Sequence, residues 1–395
     1  MKLKPILEKL YPLNRSLNTI DNLTTIDFLR RFLPNSKPEY YQPGEKAWTW
    51  TIPERWNVKK AYIEVGNQRL NFVSPNSFLS PINVVSYSLP VNKIVDYEEL
   101  KKHIYYNPHR RDSIPWVYKY YDRDWGFCIS DNQWRKFPTD AQYHVVIESE
   151  FTGDPFSLLT SKIGRNPNEI LLMAHICHAA QANDDLSGVV TLLEVAERLR
   201  NNPLPANSLS VRFLFAPETI GSIVYLARHG EDNIKAGIFA EMTGTSGELW
   251  MHQTHEADHD IDSIARECVE FMRPFGSEPC NDERVLSSVG IPCISINRWP
   301  YLEYHTSDDN PSIISESQLQ KAADVIERIV RIYATNYVPI PEWHGYPFLS
   351  GMGKFSRLAQ KIVLFMDGKR SVFEISQEIG EDYFAVYNEI EVLLK

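Results

Sequence analysis

The stretch His175-Ile-Cys-His-Ala-Ala-Gln-Ala-Asn-Asp184-Asp185-Leu-Ser187-Gly188 concentrates imidazole, thiol and carboxylate groups that can hold a metal ion. Neutral imidazole nitrogen and carboxylate oxygen suit Zn²⁺. A His-x-x-His pair by itself is weak support, so what matters is whether other ligands arrive at the same place. Three further segments carry such groups. They are Glu218 in Ala216-Pro-Glu-Thr-Ile-Gly221-Ser222, Glu241 in Phe239-Ala-Glu-Met-Thr243-Gly, and His305 in Tyr304-His-Thr-Ser-Asp308-Asp309-Asn310.

Each of these groups follows a short apolar run that reads as a buried strand: 169–174, 209–215, 236–240 and 293–296. Helices are expected between and after them, at 186–200, 220–229, 258–273 and 316–334, the last with Ser315 and Gln318 as a capping box. Alternating strands and helices predict an α/β fold, a mostly parallel sheet with helices on both faces. Ligands of such sheets bind outside the carboxyl ends of the strands. His175, Asp184, Glu218, Glu241 and His305 are therefore expected on one rim. Singly, each has a bland reading: a satisfied histidine, or a carboxylate capping the helix that follows. Random polar residues do not repeatedly choose the same sheet edge, so the joint placement carries the weight.

The remainder of the chain divides by pattern. Residues 1–45 and 143–340 are assigned to the α/β domain, 46–142 to an inserted β-rich module, and 341–395 to a helical tail. Near the start, Thr24 and Thr25 are candidate caps for a helix through Phe32, and Tyr11-Pro-Leu-Asn-Arg15-Ser16 is a polar segment with no evident core role. In the module, strands are expected at 48–52, 61–65 and 83–89, with Gly66-Asn67 as a turn. Its aromatic run, Ile114-Pro-Trp-Val-Tyr118-Lys-Tyr120-Tyr121, reads as core or module interface, with a substrate-facing wall as the alternative. In the tail, Ser371 and Glu374 form a capping box, and Tyr383, Val386, Tyr387, Ile390 and Leu394 make an apolar stripe that must pack on something.

Composition limits the function classes. A chain of 395 residues with 43% hydrophobic and 23% charged residues is an ordinary folded protein. Its net charge of −10 disfavours binding to nucleic acid or anionic membrane. The tail, with six Lys/Arg against seven Asp/Glu from Lys354 onward, disfavours DNA as well. No apolar run has the length of a membrane span, and the first residues lack a signal-peptide core. Cysteines 128, 177, 268, 280 and 293 are odd in number and form no CxxC, which points to a reduced, cytoplasmic protein. The tail's stripe is expected to pack on the α/β domain or on a second subunit, and a homo-oligomer is predicted.

In combination, these motifs resemble the M28-type zinc aminopeptidase family. His175 matches the family's first metal-binding His, and Asp184 in Asn183-Asp-Asp-Leu-Ser-Gly188 its bridging Asp. Pro217-Glu218 matches the acidic motif, Glu241-Met-Thr the carboxylate after the next strand, and His305 to Asp309 the final His-Thr-x-x-Asp. The chain is similar almost throughout to a bacterial aminopeptidase-like group found near polysaccharide-biosynthesis genes. That group has Tyr-Pro-x-x-Arg-Ser near its start, an inserted β module, His-x-Cys-His, Glu-Thr-Ile-Gly-Ser, Asp282-Glu283-Arg284, Glu-Tyr-His-Thr-Ser and a winged-helix tail. The resemblance implies one zinc or two, held by His175, Asp184, Glu241 and His305.

This chain departs from the M28 pattern twice. Where those enzymes have two adjacent glutamates, a base and a ligand, it has Pro217-Glu218, so Glu218 is open to either role. Where they support the first His with His-x-Asp, it has His175-Ile-Cys177, which leaves Cys177 and His178 as alternative ligands. Arg284 and Arg298 flank the last strand and are candidates for binding a substrate carboxylate or oxyanion, or for surface ion pairs.

The activity expected is zinc-dependent amide hydrolysis of a short peptide, an amino-acid conjugate or an N-acyl amino sugar. Its rivals are acyl transfer or cyclisation of a small metabolite at a single zinc, and a non-catalytic scaffold that keeps the fold.

Overall fold

The structure, a computed structural model, describes residues 1–66, 68–70, 81–277 and 281–395. Asn67 of the expected turn and Cys280 lie outside them.

Four parallel strands form the centre of an eight-stranded sheet, in the order Ser210–Ala216, Glu169–His175, Ile234–Ala240, Cys293–Asn297. These are the four strands expected from sequence. They are near-continuous apolar runs because both faces are covered. Ile170, Leu172 and Ala174 face one core, with helices Gly188–Asn201, Asp260–Arg266 and Glu316–Thr335. Leu171 and Met173 face the other, with helices Ile220–His229 and Asp282–Ser287. Phe156–Ile163 and Lys37–Tyr41 extend the sheet antiparallel on one side, and Trp250–His252 and Phe271–Arg273 extend it on the other.

From the central strand Glu169–His175 the chain passes first to its neighbour on one side and then to its neighbour on the other. That reversal opens a crevice at the carboxyl ends, and His175 sits at its floor.

Several local expectations are corrected. The helix expected over 258–273 stops at Arg266, and Phe271–Arg273 is a strand. The first long helix is Ile20–Leu29, capped by Thr19 with Asn22 in a reciprocal box; Thr24 and Thr25 lie inside it. Ser315 starts the helix Glu316–Thr335 without a side-chain cap. Residues 83–89 form no strand. A 3₁₀ turn, Pro81–Asn83, is followed by isolated bridges at Val84 and Ser86. Tyr143–Thr152, assigned by sequence to the larger domain, pairs with the module's strands Arg55–Val65 and Val91–Val95.

After Pro341 come three helices, Arg357–Ile362, Val372–Ile379 and Tyr383–Leu393, the second with the Ser371–Glu374 box. No strand accompanies them among the described residues. Their apolar stripe is satisfied within the chain. Tyr383, Val386 and Ile390 are buried in the core shared with Glu316–Thr335, Tyr383 and Thr335 share a hydroxyl hydrogen bond, and Arg328 pairs with Asp382. The stripe therefore calls for no second subunit. Truncation after Pro341 is expected to uncover the end of the 316–335 helix and to lower solubility and stability, leaving every candidate metal ligand in place. Soluble yield, thermal unfolding and metal content of the truncated protein check this. Among the described residues no helix is long and apolar enough to cross a membrane.

Candidate metal centre

His175 ends its strand buried, and its backbone N–H donates to Asp185 Oδ2 at 3.0 Å. The other Asp185 oxygen accepts the N–H groups of Gly188 and Met242, each at 3.1 Å. Asp185 thus ties the histidine strand, the helix start and the Glu241 loop together. Gly188 is required here, because a Cβ would collide with the Ala240 carbonyl and the Asp185 carboxylate. The Asp184–Asp185 peptide is cis.

Asp184 is turned into the crevice. Its Oδ1 lies 3.1 Å from His175 Nε2, and its Oδ2 lies 3.0 Å from His305 Nε2. Glu241 Oε1 is 3.7 Å from the same His175 nitrogen. Asn281 Nδ2 donates to that Glu241 oxygen. The four expected ligands do converge, with Asp184 between two donor groups: His175, Asp184 and Glu241 on one side, and His178, Asp184 and His305 on the other. His175, Cys177 and His178 form a third cluster.

The donor set fits a zinc ion. Among the described residues, His175 Nε2, His305 Nε2 and Asp184 Oδ2 are buried polar atoms with no hydrogen-bond partner, although imidazole and carboxylate stand within 3.1 Å. Such atoms are costly to bury unless something satisfies them.

Asp309, the last residue of the His-Thr-x-x-Asp motif, holds the loop from below. Its carboxylate accepts the N–H groups of Ala182, Asn183 and Asp184 and the Tyr301 hydroxyl. Burial pushes its pKa up to about 7, and these donors oppose that rise. Five non-glycine residues around the rim, His178, Ala180, Thr219, Met242 and His305, have positive φ. Backbone held in this region by its surroundings is a mark of functional sites.

Glu218 reaches the rim from a tight turn in which Ile220 N–H closes on the Glu218 carbonyl at 2.6 Å. Its Oε2 is 3.4 Å from His178 Nε2, and its side chain is 25% exposed, against 1% for His175, 2% for Asp184 and 5% for Glu241. Burial raises its pKa above the ordinary value. Among the described residues, Glu218 belongs to none of the three donor clusters. Asp282 supports the turn by accepting from Thr219 N–H and the Ser222 hydroxyl.

The arginine candidates do not join this constellation. Arg298 is buried, and its guanidinium donates to the carbonyls of Thr243, Gly247 and Gln318. Its donors are spent on backbone, which leaves it a strut behind the Glu241 loop. Arg284 is exposed on the helix Asp282–Ser287, where its charge lies near Asp282 and Glu283.

Two contributors were not legible as such. Arg15, in the segment with no evident role, is fully buried. It donates to the carbonyls of Ile176, Cys177 and Gln181, all at 3.1 Å. The aromatic run is both core and wall: Tyr120 packs on Tyr87 inside the module, while Trp116 lies against His178 and His305 at 4.3 and 4.8 Å between ring centroids. The same segment anchors His305, whose carbonyl accepts Trp116 N–H at 2.7 Å, and Arg110 pairs with Asp308 at 2.6 Å. Tyr304 stacks on the His305 ring at 3.8 Å.

Comparison with known proteins gives the family and the fold. Residues 4–336 match a family described as Domain of unknown function (DUF4910). A Clostridium acetobutylicum protein named for polysaccharide biosynthesis and an aminopeptidase-like domain is 32% identical, over 96% of this chain and 91% of its own length. A crystal structure of a peptidase-like protein from the same organism superposes with a TM-score of 0.86 at 28% identity, covering 99% of this chain and 94% of that one. BSAP, a zinc aminopeptidase from Bacillus subtilis, has a TM-score of 0.63 at 16% identity, covering 83% and 93%. The fold is that of M28-type zinc aminopeptidases, as the motifs implied.

Proposed function

Because this chain belongs to the family of the domain of unknown function DUF4910 and carries this rim on an aminopeptidase fold, we propose that it is a zinc-dependent amide hydrolase. The observation that supports it most is the convergence of His175, Asp184, Glu241 and His305 beside a separate, partly exposed Glu218. Zinc bound there supplies a Lewis acid that polarises a carbonyl and makes water nucleophilic near neutral pH. Glu218 accepts a proton from the attacking water and returns it to the leaving amine. Glu241 and Asp184 are fixed by Asn281 and the Asp309-held loop, so the donors need little rearrangement.

The substrate is a small molecule or short peptide. Trp116, Tyr118 and Tyr304 border the crevice, and the curated relative is named for polysaccharide biosynthesis. The exposed Tyr118 ring beside an amide-cleaving centre suits an N-acyl amino sugar, the first substrate class proposed. Aminoacyl conjugates come second. By its net charge the chain works without nucleic acid or membrane, and a cytoplasmic location is part of the same proposal; the tail's stripe, packed within the chain, gives a homo-oligomer no support.

The test is metal analysis together with hydrolysis of N-acyl amino sugars and aminoacyl arylamides. His305→Ala and Asp184→Ala are expected to fold and to lose most bound zinc. Full zinc occupancy in His305→Ala removes that residue from the site, and a metal-free wild-type protein inert on every substrate overturns the proposal.

A further inference from the structure

We propose that His178 is a positioning residue and not a metal ligand: it accepts a hydrogen bond from the His175 ring and directs its own N–H at Glu218. A single ring would then orient both the metal-holding imidazole and the base. This rests on the zinc reading above.

The assignment follows from counting protons. His175 turns Nε2 toward Asp184 Oδ1 and Glu241 Oε1, at 3.1 and 3.7 Å. A neutral imidazole that offers one nitrogen to a metal carries its proton on the other. That other nitrogen, Nδ1, lies 3.1 Å from His178 Nδ1. Two facing ring nitrogens share one proton, so His178 Nδ1 is the acceptor and the His178 proton sits on Nε2. His178 Nε2 in turn lies 3.4 Å from Glu218 Oε2, and a carboxylate only accepts. His178 Nδ1 spends its lone pair on the His175 proton, and Nε2 carries the proton that faces Glu218 at an ion-pair distance, so no lone pair of His178 is left for a cation in the gap it borders with Asp184 and His305.

The surroundings hold the ring in this place. His178 is 2% exposed, its backbone has φ of +75°, and the Trp116 ring meets it edge-on at 4.3 Å. Cys177, which stands where a supporting carboxylate is expected, is a weaker candidate for the same task. Its Sγ is 3.7 Å from the Nδ1 atoms of both histidines and already accepts Glu218 N–H at 3.2 Å. An imidazole thus takes over the support that the missing acid does not give.

The experiment uses the full chain, with histidine labelled in ¹⁵N and zinc added, read by long-range ¹H–¹⁵N spectra and by chelator competition. His178 is expected to show one protonated nitrogen and one unprotonated nitrogen without a metal shift. His178→Ala is expected to keep the wild-type metal count and bind zinc about 10–100-fold more weakly. His178→Gln should recover much of that loss, because its amide carries an acceptor and a donor yet is a poor zinc ligand. A metal-shifted His178 nitrogen, or one equivalent of zinc lost in His178→Ala, makes it a ligand and overturns the inference alone. So does unchanged affinity in His178→Ala. A wild-type protein that takes up no zinc overturns this inference and the functional proposal together. The wild-type spectrum decides between ligand and support even if His178→Ala does not fold.

Discussion

Glu218→Gln is expected to take up zinc as the wild type does and to lose about 10²–10⁴-fold in turnover. The structure separates Glu218 from the metal-holding carboxylates in two ways. It is outside every cluster of three converging donors among the described residues, and at 25% exposure it is the acid on the rim that substrate and water can reach. Convergence marks the ligands, of which His305 is itself 26% exposed, while a base needs access and a suitable pKa. Burial raises the Glu218 pKa above the ordinary carboxylate value. A base acts when deprotonated, so activity should fall as pH drops through this raised pKa, and the Gln variant should lack that acid limb. Kinetics on an N-acyl amino sugar or aminoacyl arylamide, with zinc measured on the same samples, checks both parts. Weakened zinc binding in Glu218→Gln would move the residue to the ligand role that its single-acid motif also allowed.

The main features of the site were legible because they follow from periodicity. Apolar runs at 169–174, 209–215, 236–240 and 293–296 are strands buried on both faces, and each is followed by its functional group. The groups that hold these side chains in place were harder to read. Arg15 lies far from the loop in sequence, and nothing local says that its fork meets the carbonyls of Ile176, Cys177 and Gln181. Arg298 sits at a strand end like the ligands do, yet it turns back onto Thr243, Gly247 and Gln318; position on a rim does not give side-chain direction. The helix expected over 258–273 failed because Val269 and Phe271 continue an apolar pattern that suits either period, and pairing with Trp250–His252 decides for a strand. Residues 143–152 could not be assigned to a sheet from their own sequence, since partners in Arg55–Val65 and Val91–Val95 determine it. The tail's stripe was visible, and of its two expected partners, the α/β domain and a second subunit, it packs on the first.

Arg15→Ala is expected to destabilise the fold by about 3–5 kcal/mol and to lower zinc affinity with it. The side chain is fully buried, and burial pulls its pKa down to about 10, so it remains charged at neutral pH. Its removal would leave three buried carbonyls without their donor, each costing about 1–3 kcal/mol when unsatisfied, with partial relaxation reducing the sum. The loop these carbonyls belong to runs from His175 through His178 to Asp184, so the same change releases a ligand and its support. Arg15→Lys separates the two effects. An ammonium keeps the charge and fills much of the space, but it has no planar fork to span Ile176 and Cys177 on one nitrogen and Gln181 on the other. The Lys variant should therefore retain more of the fold stability than of the zinc affinity. Denaturant midpoints and chelator competition on the two variants measure these quantities separately. Wild-type zinc affinity in Arg15→Lys would show that Arg15 serves only as a buried cation under the site, and that the loop holds its shape without the fork.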